Sequence, residues 1–132
     1  MDEYSKFDTL YTKLNSIYKA ANESFDHYFT CRFVGKTTKA YLAPNFNRDV
    51  IFVDLHVQKG LTNSEEFLKE LEKEAILTCK ARVHWGKAFF SNYQNILPTY
   101  PKENITAFLQ VKKALDPFNT FSSQYTQRVL NI

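Results

Sequence analysis

The chain has 132 residues, 44% of them hydrophobic and 23% charged, a globular composition sized for one domain or a piece of a larger one. Its net charge of +3 is scattered rather than clustered, which argues against nucleic-acid binding. No apolar run approaches the roughly 20 residues of a membrane span, and acidic and polar residues follow Met1, so a soluble, cytoplasmic setting is expected.

Aromatic residues make up 16% of the chain, which calls for a bulky core or a face hidden against a partner. Cys31 and Cys79 lack metal-ligand spacing; two buried reduced thiols and no metal are expected.

In chain order, Phe7, Leu10, Tyr11, Leu14, Ile17, Tyr18 and Ala21 recur at helical spacing and predict a helix over 6–21. A strand follows over 28–34. Alternation puts Tyr28, Thr30, Arg32 and Val34 on one face and Phe29, Cys31 and Phe33 on the other, which reads as core. The first face suits either solvent or a site. Residues 36–49 form a loop or short hairpin around Pro44. Residues 50–57 are almost continuously apolar and predict a central strand covered on both faces, ended by Gly60.

Thr62 and Glu65 form a capping-box pattern ahead of a helix reaching Cys79, with Phe67, Leu68, Leu71, Ala75 and Ile76 as its apolar stripe. Along its solvated face, Glu65 and Lys69 attract and Glu70 and Glu74 repel. Pro98 and Pro101 mark a loop, with Pro101 placed to open a further helix that carries Ile105, Phe108, Leu109, Lys112 and Leu115. Lys112 and Lys113 suit the negative end of that helix, and Asp116-Pro117 stops it. The tail holds Phe121, Tyr125, Val129 and Leu130 as apolar anchors. Without strict strand–helix alternation, the expected class is α+β, an antiparallel sheet layer flanked by helices.

The run Arg82-Val83-His84-Trp85-Gly86-Lys87 resembles the Arg-Pro-His-Trp-(Gly/Ala)-Lys run of the FAD-dependent aldonolactone oxidase family. That family comprises the L-gulonolactone, L-galactonolactone and D-arabinono-1,4-lactone oxidoreductases and the alditol oxidases. Leu115-Asp116-Pro117, Phe121, Tyr125, Arg128, Val129 and Leu130 resemble its closing pattern. Leu42-Ala43-Pro44 and Asn47-Arg48-Asp49 are similar to its Leu-Ser-Pro and Arg-Asp. Glu3-Tyr4 resembles the strand that opens the last stretch of its substrate domain, and the strand reaching Arg32 resembles one ending in Glu-x-Arg. There are departures: Val83 stands for proline, Lys112 for arginine, and Thr30 for the glutamate.

The resemblance implies a single partial domain over 1–132. It would be the C-terminal part of a vanillyl-alcohol-oxidase-type substrate domain, with the FAD-binding domain absent. It implies sugar lactones or alditols as substrates, FAD as cofactor, and a separate flavin-binding chain as partner. In such enzymes the cofactor carries the redox chemistry, and the protein orients the reacting carbon and steadies charge. Lys87, Arg32 and Thr30 are the implied catalytic residues, and His84 and Lys87 the implied flavin contacts. Arg32 can fork two hydrogen bonds to neighbouring oxygens. Thr30 cannot carry the charge of a glutamate, which raises the alternative of a degenerate remnant serving as a protein-binding module. His84 suits a flavin or substrate contact or a purely structural one; Trp85 reads as packing, and His27 and His56 as structural. A self-sufficient enzyme finds no support, since the sequence carries no Gly-rich phosphate loop and no nucleophile–base pairing.

Overall fold

A computed structural model describes residues 3–20, 29–56 and 64–132. The order is α1 (Glu3–Ala20), β1 (Phe29–Val34), β2 (Val50–Leu55), α2 (Ser64–Cys79), α3 (Tyr93–Ile96), a 3-10 turn (Leu97–Thr99), α4 (Lys102–Leu115) and α5 (Gln124–Leu130). β1 and β2 pair antiparallel, Phe29 opposite Leu55 through Val34 opposite Val50, so the expected α+β class with an antiparallel sheet and flanking helices holds. Within the described residues the sheet has two strands.

Two apolar clusters organise the chain. In the first, α2 turns Phe67 and Leu71 toward Leu10 of α1 and Leu55 of β2. The like charges Glu70 and Glu74 each find a lysine, Lys73 on the same helix and Lys13 on α1. The second and larger cluster gathers Phe89, Ile96, Tyr100, Ile105, Val129 and Leu130 from the C-terminal half. Val129 is 1% exposed, the anchor expected of the tail. Its helix is set by a reciprocal Ser123–Thr126 capping box and ends at Asn131 in the left-handed region (φ 56°). Asn104, buried on α4, donates to the Tyr41 carbonyl and ties the 36–49 loop to this cluster.

Several expectations are corrected. Glu3 and Tyr4 lie in α1, not in a strand. β2 is not central: among the described residues it has one neighbour, and all its side chains are half-buried. The Cys31–Phe33 face is not core at these two positions: among the described residues α2 packs on that face at Leu55, opposite Phe29 at the far end of the ribbon. Phe33 is 78% exposed and Cys31 is exposed rather than a buried thiol. Residues 36–49 take the loop alternative rather than the hairpin, with an isolated bridge joining Thr37 to Phe46. The proline-marked loop contains α3 and the 3-10 turn, which the Asn92–Asn95 capping box starts. Pro101 caps α4 instead of opening it. Leu115 and Phe121 are exposed, Phe121 by 82%, so neither is buried among the described residues. Tyr28, Val57, Gly60 and Thr62, with the calls made on them, lie outside the described residues.

Among the described residues no helix is long and apolar enough to cross a membrane, and no group of His, Cys, Asp and Glu is placed to hold a metal.

Candidate functional site

The His84–Lys87 segment is a turn, closed by the Lys87 N–H donating to the His84 carbonyl at 3.2 Å. Lys87 and His84 are both exposed on it. The Gly86 N–H donates to His84 Nδ1 at 3.0 Å. A nitrogen that accepts carries no proton, so the imidazole N–H sits on Nε2 and is available as a donor. A Cβ at position 86 would stand 3.0 Å from Cε1 of the His84 ring, so an alanine there would make the exposed imidazole give by a few tenths of an ångström.

The flanks of this turn are fastened by charged side chains on backbone carbonyls. Arg82 donates through Nε to Thr99 (2.7 Å) and through NH1 to Ala43, Pro44 and Phe46 (3.3, 3.2 and 3.0 Å). Its guanidinium stacks 4.4 Å from the Tyr100 ring centroid. Burial, and then the neighbouring Arg48, lower its pKa. Arg48 donates to the Lys80 carbonyl at 3.1 Å, and Asp49 accepts the Lys36 N–H. On the other flank, Arg128 donates to the carbonyls of Phe89 and Phe90, both at 3.0 Å, and the Tyr125 hydroxyl donates to Trp85 at 2.6 Å. Burial raises the Tyr125 pKa, against the nearby Arg128. Buried Glu72 of α2 accepts from the N–H groups of Phe90 (3.0 Å) and Ser91 (2.7 Å) and from the Ser91 hydroxyl.

Trp85 packs, as expected, with its ring stacked on Phe89 and edge-on to Tyr100. Its Nε1 is the orphaned buried side-chain polar atom among the described residues.

Leu115-Asp116-Pro117 builds a second staple. The Asp116 carboxylate accepts the Thr120 and Phe121 N–H groups at 2.7 and 3.2 Å and pairs with Lys112 at 3.1 Å. Burial is the largest influence on Asp116 and pushes its pKa up. The bonds from Lys112, Thr120 and Phe121 together outweigh it and hold the carboxyl below its ordinary value. Lys112 also reaches Asn119 and Ser122, so it anchors the turn that follows α4 instead of serving the helix end alone.

Thr30 and Arg32 stand on the exposed face of β1. The structure joins both to Asp54 of β2, with Arg32 NH2 at 2.7 Å and the Thr30 hydroxyl at 3.5 Å from the same carboxylate oxygen. No hydrogen bond or ion pair among the described residues links this trio to His84 or Lys87.

Asp54, Arg82, Glu72 and Arg128 had not been singled out as site residues by sequence reasoning. For Asp54 a signal was present, a lone carboxylate inside an apolar strand. For Arg82 and Arg128, position within the resembling motifs was the signal.

For a flavin, the exposed Lys87 ammonium and the His84 Nε2–H are donors that fit the oxygen and nitrogen acceptors along one edge of the ring system. They offer no cradle for its phosphates.

Comparison with known proteins agrees with the motifs. The family model described as D-arabinono-1,4-lactone oxidase matches residues 3–129. L-Gulonolactone oxidase 3 of Arabidopsis thaliana is 33% identical over 108 residues, covering 75% of this chain and 17% of that protein. Probable L-gulonolactone oxidase 6 of the same plant is 37% identical over 68 residues, 52% of this chain and 11% of the relative. The L-gulono-1,4-lactone dehydrogenase of Mycobacterium tuberculosis is 29% identical over 91 residues, 69% of this chain and 20% of the relative. The chain therefore spans a fifth or less of the length of these curated relatives. No solved structure matches. With a family match over nearly its whole length, and with the motif residues Arg82, Tyr125 and Arg128 bonded around one turn and Asp116 around the next, this chain belongs to the D-arabinono-1,4-lactone oxidase family.

Proposed function

We propose that the chain is the C-terminal, substrate-domain portion of an FAD-dependent sugar-lactone or alditol oxidase, D-arabinono-1,4-lactone oxidase-like, that oxidises CH–OH with oxygen as acceptor. Its α+β layer is read as part of a vanillyl-alcohol-oxidase-type substrate domain. FAD is held mainly by a domain outside residues 1–132, on the same polypeptide or on a separate chain. When bound, the flavin supplies the hydride acceptor.

The residues of this chain bind, orient and steady charge. Arg32 forks hydrogen bonds to lactone or hydroxyl oxygens. Thr30 orients one hydroxyl. The Lys87 ammonium steadies negative charge that develops beside it, and its effect grows as water is excluded. The His84 Nε2–H donates along the flavin edge. The observation that carries this reading is the display of Lys87 on a turn fastened by carbonyl bonds from Arg82, Tyr125 and Arg128. A charge acting on a transition state must be held in place beforehand, because reorganisation during the reaction costs part of its effect.

One observation favours a second reading, a degenerate remnant that binds protein. Leu115, Phe118 and Phe121 form a markedly exposed apolar group at the end of α4.

The test is to purify the chain and assay peroxide formation from aldonolactones and alditols. One arm adds FAD alone; the other adds the flavin-bearing N-terminal portion of a family member. We expect no turnover above buffer with FAD alone and turnover in the pair. Turnover with FAD alone would show that residues 1–132 suffice. A tight but inactive pair would favour the binding module.

A further inference from the structure

The most direct bond that Arg32 makes runs to the neighbouring strand. Thr30 stands opposite Asp54, and Arg32 opposite Phe52. Cross-strand partners project to the same side of a sheet, so these four residues share one face. On it, Asp54 Oδ2 accepts from Arg32 NH2 at 2.7 Å and from the Thr30 hydroxyl at 3.5 Å, the outer limit of a hydrogen bond. Arg32 lies 5.9 Å from the Phe52 ring centroid. Among the described residues, Asp54 Oδ1 and the Nε and NH1 groups of Arg32 have no partner. The pair is open to solvent, Arg32 at 65% and Asp54 at 40% side-chain exposure, so a ligand reaches both.

We infer that Asp54 is a positioning and specificity-determining residue of the lactone site, forming with Arg32 a fork for vicinal hydroxyls. Oδ2 holds the guanidinium in place. Oδ1, which only accepts, takes the proton of one substrate hydroxyl in a hydrogen bond, while the guanidinium, which only donates, serves the adjacent oxygen. Phe52 lies beneath as an apolar platform for the C–H face of the ligand. The carboxylate that Thr30 cannot provide is thereby supplied from the residue directly across the ladder. This inference rests on the reading of the sheet face as a substrate wall.

The test is a titration of the isotope-labelled chain with L-gulono-1,4-lactone, followed by amide chemical shifts, with γ-butyrolactone as the probe lacking a diol. The sugar lactone should shift the amides of residues 30–32 and 52–54, and γ-butyrolactone should not. Asp54→Asn should weaken binding about fivefold, the upper end for an exposed charge pair. Thr30→Glu added to Asp54→Asn should restore binding to within about twofold, because it returns a carboxylate to the same face. That rescue is one that a merely structural role would not produce. Every variant is first required to keep the wild-type pattern of dispersed amide peaks, and Asp54→Ser replaces Asp54→Asn if the latter does not. Wild-type affinity in Asp54→Asn, alongside lost binding in Arg32→Ala, would overturn the role of Asp54 and leave the substrate-wall reading standing. Lost binding without rescue by Thr30→Glu would also overturn it. If the lactone shifts no sheet-face amide of the wild type, the substrate-wall reading falls and the fork with it.

Discussion

The His84–Lys87 turn and the Thr30–Arg32–Asp54 face carry the same kind of chemistry on different foundations. The turn is gripped at both flanks, by Arg82 on four carbonyls and by Arg128 and Tyr125 on three more. The sheet face is held by one exposed ion pair on a two-stranded ribbon. Charge-assisted bonds from the partly buried Arg82 guanidinium to several backbone carbonyls at once contribute more than a solvated surface pair. The turn is therefore held by several bonds within this chain, whereas the sheet face rests on a solvated pair.

The sharpest way to break this contrast is Arg82→Met. The substitution keeps the apolar stem and removes the donors to Thr99, Ala43, Pro44 and Phe46. Unfolding in urea should show a loss of about 3 kcal/mol, from the Thr99 and Phe46 carbonyls stripped of their partner and the Ala43 and Pro44 carbonyls left with one donor each. A loss under about 1 kcal/mol would mean that the turn is not braced as described.

A pH dependence sharpens the contrast from the Asp116 staple. Its carboxyl pKa lies below the ordinary carboxylate value when folded, so it binds protons more readily unfolded. The stability it contributes is present above its ordinary pKa, 3.8, and is lost as pH falls through the lower folded value. Asp116→Asn should reduce stability at neutral pH and flatten the acid limb of the stability profile. Parallel acid limbs for the two proteins would remove Asp116 from that role.

The smallest effect belongs to the sheet face. Arg32→Ala should change stability by less than about 0.5 kcal/mol, as befits an exposed pair. A loss comparable to that of Arg82→Met would make the two regions alike and assign Arg32 to the framework.

The motif residues turned out to divide between framework and display. Within Arg82-Val83-His84-Trp85-Gly86-Lys87, Arg82 and Trp85 face inward to carbonyls and aromatic rings, while His84 and Lys87 face out. A motif read along the chain names all of these together. Side-chain direction separates them, and direction follows from partners distant in sequence, such as Thr99 and Ala43 for Arg82.

Local pattern by itself determined much of this protein. Helical spacing located α1, α2 and α4, β-branched and aromatic runs located both strands, and motif order over most of the chain gave the family. These signals are local or linear, so one sequence suffices to read them. Which faces are covered was decided only by tertiary structure. Alternation groups Cys31 and Phe33 on one face as surely as Thr30 and Arg32 on the other, yet the first pair lies exposed because, among the described residues, the ribbon has no third strand and α2 meets that face at its Leu55 end. The juxtaposition of Asp54 with Thr30 and Arg32 was likewise invisible, because the register of two strands separated by a loop depends on pairing across space and not on either strand's own periodicity.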